Sequence, residues 1–206
     1  MIIAGAWWYL ARSSGLIAAV LLVAAFVWGI LLATRLLKPV KSKPWLLDLH
    51  RWLAGLAVVF VALHLVGLVA DSYVQFNLSS ILIPFASEWR PVAVTWGVVA
   101  LYLMVAIQLT SWRRIRSRLS RTTWHAIHLL SFPLLWLIAV HAGAAGTDVG
   151  NRWYLISLFA LVGVMVFVVL YRILAGTGRQ ARPKPQPSNH AAKSAGSERP
   201  VASGRR

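Results

Sequence analysis

The chain has 206 residues, 59% of them hydrophobic, with 11 Trp, no Cys and a positive mean hydropathy. That is too apolar for a soluble domain of this size, and the lack of cysteine excludes disulfides, Cys-ligated zinc or iron–sulfur sites and thiolate ligation of any metal. A formal charge of +16 would suit a nucleic-acid binder, but the basic residues sit in short loops and a tail between apolar runs. They read as topology determinants, so membrane lipid is the expected partner and no nucleic acid is expected.

In chain order, "MIIAGAWWYLARSSG" lacks the basic region of a secretory signal, and the apolar run that follows is too long for one, so the first segment reads as a retained span. A hydrocarbon core of about 30 Å needs roughly 20 helical residues. Five stretches meet that requirement, approximately 14–34, 46–70, 92–112, 122–145 and 153–174. Between the second and third, "NLSSILIPFASEWRP" is apolar but short and carries Pro84 and Pro91, which predicts an interfacial or partly re-entrant loop.

The loops orient the bundle. Arg35, Lys38, Lys41, Lys43 and Arg51 flank the first loop, and Arg113, Arg114, Arg116, Arg118 and Arg121 fill the third. Only Arg12, Arg90 and Arg152 fall on the other side, so the two basic loops face the cytoplasm. The expected fold is an all-α membrane protein, a bundle of about five transmembrane helices with the N-terminus outside and the C-terminus cytoplasmic. Residues 1–175 form this domain; residues 176–206, rich in Pro, Ser, Ala and basic residues, form a basic cytoplasmic tail expected to be disordered.

Five of the six histidines fall in the apolar region: His50 and His64 in span two, His125, His128 and His141 in span four. A polar group inside a bilayer is expensive and requires a partner; for a lone histidine, a helix–helix hydrogen bond is sufficient explanation. The pattern argues for more. His50 and His64 are fourteen residues apart, about 21 Å of rise and close to four turns, so they share one face at two depths. His128 and His141, thirteen apart, match those depths, and spans two and four run in the same direction. His50 can then face His128 and His64 can face His141, in two stacked pairs such as two axially ligated haems require.

Two points of this reading are open at the level of sequence. Thirteen residues leave His141 roughly 140° around an ideal helix from His128, so Pro133 must kink or unwind the span. His125 competes with His128 for the inner position, although depth favours His128. Among the remaining residues, Gly55 and Gly67 would let a flat group approach the backbone or serve helix packing. Trp45, Trp52, Trp89, Trp96, Trp112 and Trp124 fall toward span ends as interface belts. Arg51 and Arg121 lie at the inner level, whereas Asp71, Ser72 and Tyr73 lie just beyond the outer one, where they would shape an acceptor site.

The segments "WLLDLHRWLAGLAVVFVALHLVGLVADSY" and "SRTTWHAIHLLSFPLLWLIAVHAGAAGTD", with "WWYLARSSGLIAAVLLVAAFVWGILLATR" before them, resemble the ferric reductase-like transmembrane domain over about residues 7 to 174. The resemblance is to the stand-alone bacterial type, related to the haem-binding membrane subunit of methionine sulfoxide reductase systems and to the NADPH oxidase membrane domain. It implies two haem b groups with His50/His128 and His64/His141 as axial ligands to iron, electron transport across the bacterial plasma (inner) membrane, and no residue with a catalytic role of its own. No FAD- or NAD-binding domain follows the last span. A separate donor, either a flavoprotein reductase or quinol, and an acceptor on the outer face, such as a flavoprotein, are therefore implied.

Two other classes stay in view: a ferric-chelate reductase in its own right, and a haem-free scaffold or transporter whose histidines merely join helices. A transporter would more often bury acids at mid-membrane, whereas Asp48, Asp71, Glu88 and Asp148 lie at loop level.

Overall fold

A computed structural model of the protein describes residues 2–34, 44–72, 76–146 and 150–177. The described residues are helical and contain no strand: α1 (Ile2–Ala33), α2 (Trp45–Ala70), α3 (Leu78–Leu82), α4 (Pro91–Ser111), α5 (Arg113–Arg116), α6 (Arg121–His128), α7 (Ser131–Ala145) and α8 (Arg152–Thr177). Five candidate membrane spans follow, with α6 and α7 together making the fourth. The first begins at Gly5, well ahead of the residue-14 start expected from hydropathy, because "AWWYLARSS" continues the helix despite Arg12. Residues 35–43, Tyr73, Asp148 and the tail from 178 onward, including His190, lie outside the described residues, as does the expectation of tail disorder.

Helices α1 and α2 form an antiparallel pair built on small residues. Ala11, Ala18 and Ala25, seven residues apart on α1, are all buried, and on α2 the heptad His50, Ala57, His64 runs against them with Ala57 fully buried. In lipid there is no hydrophobic drive between helices, so small side chains that let backbones come close supply the contact. Gly67 shows how close: a Cβ there would stand 2.8 Å from the backbone nitrogen of Ala11. Trp28 Nε1 braces the other end by donating to the Leu46 carbonyl at 2.8 Å.

Helix α4 packs along α7, and Gln108 Nε2 reaches across to donate to the Ala54 carbonyl of α2 at 3.2 Å. One apolar cluster joins Ala100, Met104, Ile107 and Leu134. A second joins Phe26, Ile30, Leu135 and Met165, with Phe132 set edge-on against Phe26 at 4.9 Å. The faces turned away from these clusters carry exposed Val59, Val66, Phe159 and Phe167, as a lipid-facing surface requires.

The segment expected as an interfacial loop holds the short helix α3. Asn77 caps it by accepting from Ser80 N at 2.8 Å, and Tyr102 Oη donates to the Leu82 carbonyl. Arg90 precedes Pro91, which disfavours the right-handed helical region, and it adopts a left-handed φ of 43°. From there its Nη1 donates to the carbonyl of Ala144 at 2.7 Å and ties the start of α4 to the end of α7.

The fourth span is not continuous. It breaks at Leu129 and Leu130, four residues ahead of Pro133, where the proline ring would meet the carbonyl of Leu129 and no N–H exists to bond it. Tighter bonds close the gap, from Leu130 N to Ile127 O and from Phe132 N to Leu129 O, both at 3.0 Å.

Candidate functional site

On either side of this break, His128 stands beside His50 with ring centroids 6.1 Å apart, and His141 stands beside His64 at 6.5 Å. The planes of the two rings cross at 67° and 82°. The two pairs sit at opposite ends of the α2 heptad, separated by about 21 Å of helical rise. His125 joins neither pair; it is exposed beside Trp124.

Three of the four histidines are seated in the same way. His50 Nδ1 donates to the carbonyl of Ala25 at 2.9 Å, His64 Nδ1 to that of Ala11 at 2.6 Å, and His141 Nδ1 to that of Ala93 at 2.9 Å. A carbonyl can only accept, so each Nδ1 carries the proton and each Nε2 is left with a free lone pair. One turn beyond each alanine stands a glycine against which the ring lies. A Cβ at Gly29 would come within 3.2 Å of His50, at Gly15 within 2.9 Å of His64, and at Gly97 within 2.7 Å of His141.

The seat is therefore a five-residue module, "ARSSG" at 11–15, "AFVWG" at 25–29 and "AVTWG" at 93–97. The alanine offers its carbonyl and the glycine offers bare backbone on the same helical face. The first two modules are fourteen residues apart, the same interval as the two histidines they hold. Reading the histidines alone misses these residues; the repeat of A-x-x-x-G at the histidine spacing is the signal that carries them.

Several expected roles change. Among the described residues nothing lies within 4 Å of a Cβ built on Gly55, and Gly67 serves the α1–α2 contact, the packing role its sequence position offered. Trp45, Trp52, Trp96 and Trp112 are exposed, as a belt requires, but Trp124 is half-buried and stacks on His128 at 4.9 Å and 20°. Trp89 lines a cavity of about 230 Å³ around His64 and His141, together with Trp8, Arg12 and Tyr154. Arg51 pairs with Asp48 at 3.2 Å on the exposed surface, and Asp71 is buried where α2 ends, its N–H bonded to the Gly67 carbonyl.

Among the described residues no group of three or more His, Cys, Asp or Glu converges. Each histidine level thus offers two nitrogen donors, too few to complete the shell of a bare metal ion.

The bundle is a multi-pass membrane domain with two pairs of histidines set at two levels. The model of the ferric reductase like transmembrane component matches residues 14–140, and the chain belongs to that family. The matched stretch contains three of the paired histidines and stops one residue before His141. Neither the comparison with curated proteins nor that with solved structures gives a match. Family membership associates the domain with a transmembrane electron-transfer or reductase role.

Proposed function

We propose that the protein conducts electrons across the bacterial inner membrane through two haem b groups, one held by His50 and His128 near the cytoplasmic face and one by His64 and His141 near the outer face. The observation that carries this reading is the spacing of the paired rings. An axial metal–imidazole bond of about 2 Å on each side, added to roughly 1 Å from nitrogen to ring centre, sets two axial rings about 6 Å apart. The two pairs stand at 6.1 and 6.5 Å. The donor set agrees, because two nitrogens per level suit a group that brings its own four equatorial donors. The protonated Nδ1 of His50, His64 and His141 also matches the carbonyl-anchored state of a metal-ligating imidazole.

A haem held by these histidines would supply a one-electron iron couple suited to outer-sphere electron transfer. The chain's own residues hold and aim the imidazoles. Leu134, Leu135, Met104 and Phe26 exclude water from the bundle interior. Electrons then pass from a cytoplasmic flavoprotein reductase or the quinol pool to an acceptor outside, such as a flavoprotein, with the N-terminus on the outer side.

Optical spectroscopy of the full chain purified from haem-replete cells tests this. A low-spin b-type spectrum with two haems per chain is expected, falling by half in His64→Ala or His141→Ala and unchanged in His125→Ala. A folded, colourless preparation would refute it.

A further inference from the structure

His128 is seated differently from the other three. Among the described residues its buried Nδ1 meets no hydrogen-bond partner, and neither does Nε1 of Trp124 stacked on it. The reason lies in α4. His141 meets Ala93 and Gly97; thirteen residues along α4, the interval that separates His128 from His141, the corresponding module reads "AIQLT", Ala106 to Thr110. Threonine stands where the glycine would be, and its Oγ1 donates to the Ala106 carbonyl at 2.7 Å. At this register the bare backbone that seats the other rings is replaced by a branched side chain whose hydroxyl bonds the carbonyl. The ring is held instead from its own helix, in a column in which the Arg116 guanidinium lies over Trp124 at 4.6 Å and Trp124 lies on His128.

We propose that Arg116, Trp124 and Thr110 are positioning residues that make His128 the weakest electron donor of the four histidines and thereby raise the reduction potential of the inner pair. This rests on the reading of His50 and His128 as a haem-binding pair. A hydrogen bond from Nδ1–H to an acceptor raises the basicity of an imidazole ligand and favours the more highly charged metal. Denying that bond to His128 removes the effect at one of the two inner ligands, while both outer ligands keep it. The Arg116 guanidinium, held one ring away, acts in the same direction by favouring the reduced state.

Spectroelectrochemistry of the full-length, haem-loaded protein in detergent provides the test. The component that disappears in His50→Ala is the inner one. Thr110→Gly frees the Ala106 carbonyl for His128, and Trp124→Leu admits water to Nδ1. Each is expected to shift the inner redox equilibrium about tenfold toward the oxidised form, 59 mV for one electron, and to leave the outer component in place. Thr110→Ser, which keeps the hydroxyl, and Trp124→Phe, which keeps the stack, should restore the parent value.

If both haems are present and the inner midpoint is unmoved in Thr110→Gly and in Trp124→Leu, the proposal is overturned. A shift of equal size in both components overturns it too, because a general loosening would act on both. If no component vanishes in His50→Ala, the haem reading itself has failed, which is a separate result.

Discussion

Replacing Gly97 by alanine is the sharpest probe of the seats. The added Cβ would stand 2.7 Å from both Cε1 and Nδ1 of His141 and 3.1 Å from its Nε2. Ordinary carbon contacts begin at about 3.5 Å, so the ring must retreat by roughly 1 Å. That retreat stretches the 2.9 Å bond from Nδ1 to the Ala93 carbonyl past the limit of a hydrogen bond and displaces Nε2 by a similar distance. Losing such an outer partner costs about 10- to 100-fold in metal affinity, or roughly 1.4 to 2.7 kcal/mol. Alanine is otherwise the better helix former by about 1 kcal/mol, so α4 itself should not suffer.

The assay is haem binding to apoprotein in detergent, followed by absorbance. Gly97→Ala should weaken one of two sites by at least tenfold. The series should rank by clearance: Gly15→Ala, at 2.9 Å from His64, next; Gly29→Ala, at 3.2 Å from His50, mildest; and Gly55→Ala, with open space around it, without effect. Equal affinities across the series, or a loss at Gly55→Ala as large as that at Gly97→Ala, would refute the reasoning.

Pro133→Ala supplies the missing N–H opposite the Leu129 carbonyl and removes the ring that meets it, so α6 and α7 should fuse. A continuous helix sets His141 roughly 140° from His128, and haem stoichiometry should drop from two to one. Trp28→Phe deletes the 2.8 Å bond to Leu46 and should lower the stability of the α1–α2 pair by about 0.5–1.5 kcal/mol in detergent melts, with haem content retained.

Much of this protein is written locally in its sequence. A bilayer demands about 20 apolar residues per crossing, and five stretches supply them, so the number of spans needs no tertiary information. Depth is equally local: rise per residue is constant, and the intervals of fourteen and thirteen put His50 level with His128 and His64 level with His141 before any contact is known. The alanine–glycine modules were present too, legible only to a reading that set their spacing beside that of the histidines.

Azimuth and seating were decided by the tertiary structure. Pro133 announces a disturbance, but where the helix yields, at Leu129 and Leu130, and how far α7 turns depend on the packing of Phe132, Leu134 and Leu135 against α1 and α4. His125 and His128 lie on the same short helix only about 60° apart in azimuth, so spacing could not separate them; the packed bundle did, by setting the His128 ring beside His50 and leaving His125 exposed. Whether a ring nitrogen finds a carbonyl is settled by another helix altogether: Ala11, Ala25 and Ala93 offer one, whereas the Ala106 carbonyl accepts from the Thr110 hydroxyl. Helical depth is set by counting along one chain segment, but the partner of a side chain is set by a neighbour many residues away, and only the folded bundle brings the two together.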